Sequence, residues 1–266
     1  IPCKRHPMKA FLTWLLPIVF FLGLCGPWAA LQAQTLTLSS SGEKGVSGTH
    51  WTSSGTHPVK ITFTGTATIH PNVVIGFLNA GSDVLIEPAA GGKDIIVAAE
   101  LSCASEAKLI FHTSGTIALR AQVTLGGAQI YSGQLHTYGN TKLKGAALCF
   151  NGSLLAAGHL HLEATQGDIV IKGDVQTKGS FHAQVLGALS SFRMGVDGVS
   201  GKGTTIRADK GISIEAQQSY LTGDLLTASH DINLSGDLKL AQFTVPESQA
   251  PFYIDPANGN LFLKGG

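Results

Sequence analysis

One short phrase returns along this chain and limits what it can fold into. "KDIIVAAEL" at Lys93 comes back as "GDIVIKGDVQ" at Gly167, "KGISIEAQQ" at Lys210 and "HDINLSGDL" at His230. Weaker forms stand at Thr116 and at Thr141 ("TKLKG"), with a looser pass near Ser190 ("SSFRMGVDG"). Successive copies lie about 20 to 27 residues apart, the signature of a solenoid whose units stack on one another. A second short strand pattern accompanies most copies: "DVLIEP" at Asp83, "AKLIFHT" at Ala107, "GHLHLEA" at Gly158, "TTIRADK" at Thr204 and "DLLTASH" at Asp224. Two or three strands of this length, turned by Gly, Asp, Asn and Ser, make one coil of a parallel β-helix.

The alternation gives the physics. In "GDIVIKGDVQ", Ile169 and Ile171 fall on one face and Val170 and Lys172 on the other, so the first face can be buried inside the coil. Coils about 4.8 Å apart pair their backbone groups with the coils above and below and stack Ile on Ile. Seven or so coils would span roughly 35 Å at that spacing. Asp168, Asp94 and Asp231 are expected at one recurrent corner, where side-chain to backbone bonds make the turn. Stability then grows with the number of neighbours, because a lone coil buries almost nothing. The competing all-β reading is a sandwich or barrel, which short strands with frequent turns also allow; neither needs one phrase to recur. Only "HPNVVIGFLNAGS", His70 to Ser82, reads as helix, with Pro71 in the first turn, Val73, Val74, Phe77 and Leu78 on a stripe, and Gly81 as the stop.

Composition narrows the partners. Charged residues make up 13% of 266 and the net charge is +1, with no basic block and no basic and aromatic interleaving; nucleic acid is not an expected partner. From Met8, one Lys precedes an apolar run, a Gly26-Pro27 break and small residues to Ala33. This pattern predicts a signal peptide over 8–33, with 1–7 as read-through upstream of the start. A retained membrane anchor and a lipoprotein site at Cys25 are the rival readings. Residues 34–245 are expected to hold the repeats with an N-terminal cap, and 246–266 the start of a further segment, cut short. No membrane span is expected in the mature chain.

The passage "GTHWTSSGTHPVKITFTGTATIHPNVVIGFLNAGSDVLIEPAAGGKDIIVAAEL", followed by "AKLIFHTSGTIALRAQV", resembles the repeat region of filamentous-haemagglutinin-like exoproteins, large adhesins of Gram-negative bacteria. The likeness extends over about Trp51 to Leu240. It implies a right-handed parallel β-helix with one short capping helix, export to the cell surface through an outer-membrane transporter, and attachment to a glycan or protein on a host or neighbouring cell. The Asn-Pro-Asn motifs typical of that family's secretion domain are missing, which leaves an autotransporter-like route open as well.

Chemical sites are sparse. Cys103 and Cys149 are expected at similar places two coils apart, too far for a bridge and so two separate thiols. His159 and His161 share a strand face, and His50, His57 and His70 lie near the cap, but no zinc pattern accompanies them, so no metal and no cofactor is expected. "GVDGVSGKG", Gly195 to Gly203, lacks the features of a phosphate or calcium loop. Parallel β-helices also host polysaccharide lyases and glycoside hydrolases, which need paired carboxylates. The acids Glu163, Asp174, Glu215 and Asp237 read as dispersed and solvated, so no catalytic residue is assigned. The expected function is a secreted or surface-displayed adhesive and structural rod, with a lyase or hydrolase as the alternative. Loops at Ser190 to Gly203 and Gly126 to Asn140 are the expected places for partner contacts.

Overall fold

A computed structural model describes residues 51–54, 58–63, 65–89, 93–195, 204–228, 230–240, 254–255 and 260–264. The signal-peptide, read-through and Cys25 readings, His50, His57 and residues 196–203 of the Gly195 loop lie outside them. Within them the chain is a parallel β-solenoid of about eight turns carrying a single helix.

Each turn has three walls. The first is built from β2 (Val59–Phe63), β4 (Val84–Pro88), the start of β7 (Leu109–Leu119), the start of β9 (Gln129–Thr137), β11 (Leu148–Phe150), β14 (Ile169–Ile171), β17 (Ser191–Met194), and the ends of β19 (Ile212–Leu221) and β21 (Ile232–Leu240). The second takes β3 (Ala67–Ile69), β5 (Ile95–Val97), the ends of β7 and β9, β12 (Leu154–Ala156), β15 (Val175–Thr177), β18 (Thr204–Ala208), β20 (Gly223–Thr227) and β22 (Ile254–Asp255). The third runs through β6 (Leu101–Cys103), β8 (Val123–Leu125), β10 (Thr141–Gly145), β13 (Leu160–Ala164), β16 (Phe181–Val185), the starts of β19 and β21, and β23 (Leu261–Lys264). Every pairing among the described residues is parallel except one: β1 (Trp51–Ser54) runs antiparallel to β2.

Register puts like on like. One inward row of the first wall reads Ile61, Ile86, Phe111, Tyr131, Phe150, Ile171, Met194 and Leu221, each opposite the next. All eight are at most 1% exposed. Phe111, Tyr131 and Phe150 stack with centroids 5.4 and 5.3 Å apart, offset by one rung each. The Tyr131 hydroxyl donates to Gln129 Oε1 at 2.6 Å, and Gln129 Nε2 donates to the Lys144 carbonyl at 2.6 Å, so this buried polar pair is satisfied inside the core. Burying each large apolar side chain in such a row contributes about 1.5–3 kcal/mol.

The predicted helix is α1 (Pro71–Asn79), with Pro71 in the first turn and Gly81 at φ 77° after its end. It occupies the third-wall position of the first turn and packs on β4 and β6, burying Val74 and Leu78. Cys103 and Cys149, the cysteines among the described residues, are both free. They do not occupy similar places: Cys103 lies on the third wall and Cys149 on the first. The region Gly126 to Asn140 is not a loop. It is largely β9, whose two halves form rungs of the first and second walls, while Ser191–Met194 of the other expected loop is β17.

Candidate functional site

The Asp residues of the repeated phrase come first, because they set the corners. Asp94 precedes a second-wall strand, Asp168 a first-wall strand and Asp231 a third-wall strand. The single recurrent corner expected for them is therefore corrected to three. What they share is chemistry. Asp94 Oδ1 accepts the Thr116 amide at 2.9 Å, Asp168 Oδ1 the Ser191 amide at 2.7 Å and Asp231 Oδ1 the Asn260 amide at 2.9 Å, each one turn further on. Asp83, Asn140 and Asp174 do the same for Lys108, His159 and Thr205. Each of these side chains ties one coil to the next at the point where the backbone leaves its ladder. Their use is structural.

The outward face of the third wall is different. Register brings Lys142, His161 and His182 into one column and Lys144, Glu163, Gln184 and Glu215 into the next. His161 and His182 meet edge to face with centroids 4.6 Å apart. His161 Nε2 is buried without a hydrogen-bond partner. Burial, then the neighbouring His182 and Lys142, lower the His161 pKa below its ordinary 6.5, against the smaller pull of Glu163 and Glu215. His159, which the sequence places on the same face, sits at the corner before β13 and accepts the Ser180 amide at 3.1 Å instead.

Glu163 is not a solvated acid. It is 6% exposed and bridges Lys142 and Lys144, each at 2.6 Å. Burial would raise its pKa, but hydrogen bonds and charge from the two ammonium groups outweigh that, and the net direction is down. Asp174 is a corner acid. Glu215 and Asp237, by contrast, line one open cleft of about 610 Å³ at the turn from the third to the first wall, with Gln184, Gln217, Gln218 and Ser235. Glu215 Oε2 accepts Gln184 Nε2 at 3.1 Å, and Gln218 Oε1 accepts the Tyr220 hydroxyl at 2.9 Å. Strand register alone could have found this group, since Gln218 stands opposite Asp237 and Glu215 opposite Ser235.

A smaller cleft of about 260 Å³ lies against His136, Tyr138, Leu155, Gln176 and Lys178 on the second wall. Among the described residues, no group of three or more His, Cys, Asp or Glu side chains is placed to hold a metal ion. No helix among them is long and apolar enough to cross a membrane.

These features define a parallel β-solenoid repeat protein: parallel backbone rungs paired in register, a continuous apolar interior, and variable outward columns. Set beside known proteins, the chain matches no family model, no curated protein and no solved structure.

Proposed function

We propose that this chain is the repeat region of a secreted or surface-displayed adhesive protein, of the filamentous-haemagglutinin-like kind, and that it works without catalysis. Cleavage of the leader and passage through an outer-membrane transporter belong to the same reading. The observation that supports it most is the row from Ile61 to Leu221, unbroken over eight rungs. Such a stack holds its outward side chains at fixed spacing, so weak contacts along it add through avidity. The partner is a glycan or protein on a host or neighbouring cell. Beads coated with the full chain should adhere to such cells, and adhesion should fall with soluble chain as competitor; equal adhesion of uncoated beads refutes the reading.

A second reading is kept because Glu215 and Asp237 share a cleft: a β-helix polysaccharide lyase or glycoside hydrolase. New reducing ends or unsaturated sugar ends from a polysaccharide panel, lost on Glu215→Gln or Asp237→Asn, would favour it over the adhesive one.

A further inference from the structure

We infer that the cleft at the turn from the third to the first wall is a binding subsite for an uncharged, hydroxyl-rich sugar chain. The inference rests on the attachment reading and deepens it.

The cleft is built from three successive rungs. Gln184 is opposite Glu215, Glu215 is opposite Ser235, and Gln218 is opposite Asp237. Neighbouring rungs are about 4.8 Å apart, so planar polar groups recur along the stack at roughly the length of one sugar ring. Its volume of about 610 Å³ lies within the roughly 300–1,000 Å³ of small-molecule sites.

The donors and acceptors are already oriented. Because Gln218 Oε1 is engaged by the Tyr220 hydroxyl, the donor capacity of its Nε2 is left for a ligand. Because Glu215 Oε2 is engaged by Gln184 Nε2, Glu215 Oε1 and Gln184 Oε1 remain as acceptors. Asp237 adds a second carboxylate and Gln217 a third amide. Paired acceptors and donors of this kind suit vicinal hydroxyls, each of which both gives and takes a hydrogen bond. Side chains held before the ligand arrives lose less freedom on binding, which improves affinity. Leu186, 54% exposed at the rim, offers apolar surface for the C–H face of a sugar.

Charge selects among sugars. The lining holds two carboxylates and no Lys or Arg, so an anionic glycan meets repulsion. Amide side chains outnumber the acids, which favours hydroxyls over an ammonium group.

The test is saturation-transfer NMR with the full chain and five tetrasaccharides: maltotetraose, cellotetraose and lacto-N-tetraose as neutral probes, fully deacetylated chitotetraose as the cationic one, and a heparin tetrasaccharide as the anionic one. At least one neutral probe should bind with a Kd of millimolar or tighter, the heparin probe more weakly by tenfold or more. The Gln184→Ala/Gln218→Ala variant should lose that binding by tenfold or more while its melting temperature stays within a few degrees, since both side chains point outward. Glu215→Gln, which keeps an acceptor, should lose less. Binding of no probe overturns the inference, as does binding of the charged probes alone, or a double variant that binds like the parent. If bead adhesion persists while no sugar binds, this inference fails and the adhesive reading stands; if sugar binds and beads do not adhere, the reverse holds.

Discussion

Tyr131 offers a sharp test of how the interior is held. Its ring is the middle of the Phe111, Tyr131, Phe150 stack, and its hydroxyl is fully buried with Gln129 Oε1 as acceptor at 2.6 Å. Burial pushes the phenol pKa far above its ordinary 10, so it stays a proton donor at any working pH. Tyr131→Phe keeps the stack and strands a buried carbonyl oxygen, at a cost of about 1–3 kcal/mol. Gln129→Leu strands the hydroxyl in turn and gives up the bond to the Lys144 carbonyl, for a similar loss. The double variant leaves neither partner stranded against the other. It should be less destabilised than the sum of the singles, with a coupling of about 1–2 kcal/mol. Guanidinium unfolding followed by circular dichroism reads this out, comparing midpoints at equal m-values. Additivity within about 0.5 kcal/mol would refute the claim that the two groups satisfy each other.

Asp168→Ala removes the acceptor of the Ser191 amide and hydroxyl and the partner of Arg193, and should cost about 1–2 kcal/mol in chemical denaturation, with Asp168→Asn milder. At Gly223, with φ at 124°, an added Cβ would lie 2.0 Å from the Thr204 carbonyl, so Gly223→Ala should destabilise on the order of 3 kcal/mol, whereas Gly76→Ala, mid-helix with open space around it, should stabilise by about 0.5–1 kcal/mol. Because the folded-state pKa of His161 is depressed, the stability it contributes is complete above its unfolded value of 6.5 and is lost as pH falls below that through the folded pKa. Melting temperatures from pH 7 to pH 5 should therefore fall less steeply for His161→Gln than for the parent; parallel slopes would count against this.

The coil was legible because its requirement is periodic. Ile169 and Ile171 had to alternate with outward residues, and each needed a similar pair one turn away. Which wall each phrase joined was not legible. All three corners use the same Asp-to-amide bond, and the chain from one coil to the next varies, from 19 residues between Asn140 and His159 to 31 between Asp174 and Thr205. A single period therefore blends three walls into one. Sites suffered most, since they form across rungs. His161 meets His182, Glu163 meets Lys142 and Lys144, and Glu215 shares a cleft with Asp237 only once register is known. A scan for acids close in sequence reads every one of them as solitary.

The two exceptions to the parallel pattern explain each other. A parallel stack ends in unpaired N–H and C=O groups, which invite another strand. At the start of the described stack, β1 turns back antiparallel on β2 and so occupies that edge with a strand of opposite sense. Among the described residues, the third wall has no strand in the first turn. There α1 lays Val74 and Leu78 on the stack, a helix satisfying its own backbone where a strand would need a partner below. Its packing on β4 and β6 buries the lowest apolar layer without extending the ladder. Hairpin and helix act on two of the three walls, the first by reversing the hydrogen-bonded edge of the first wall and the second by covering the interior at the third. Beyond them, each rung among the described residues draws its burial from the one below.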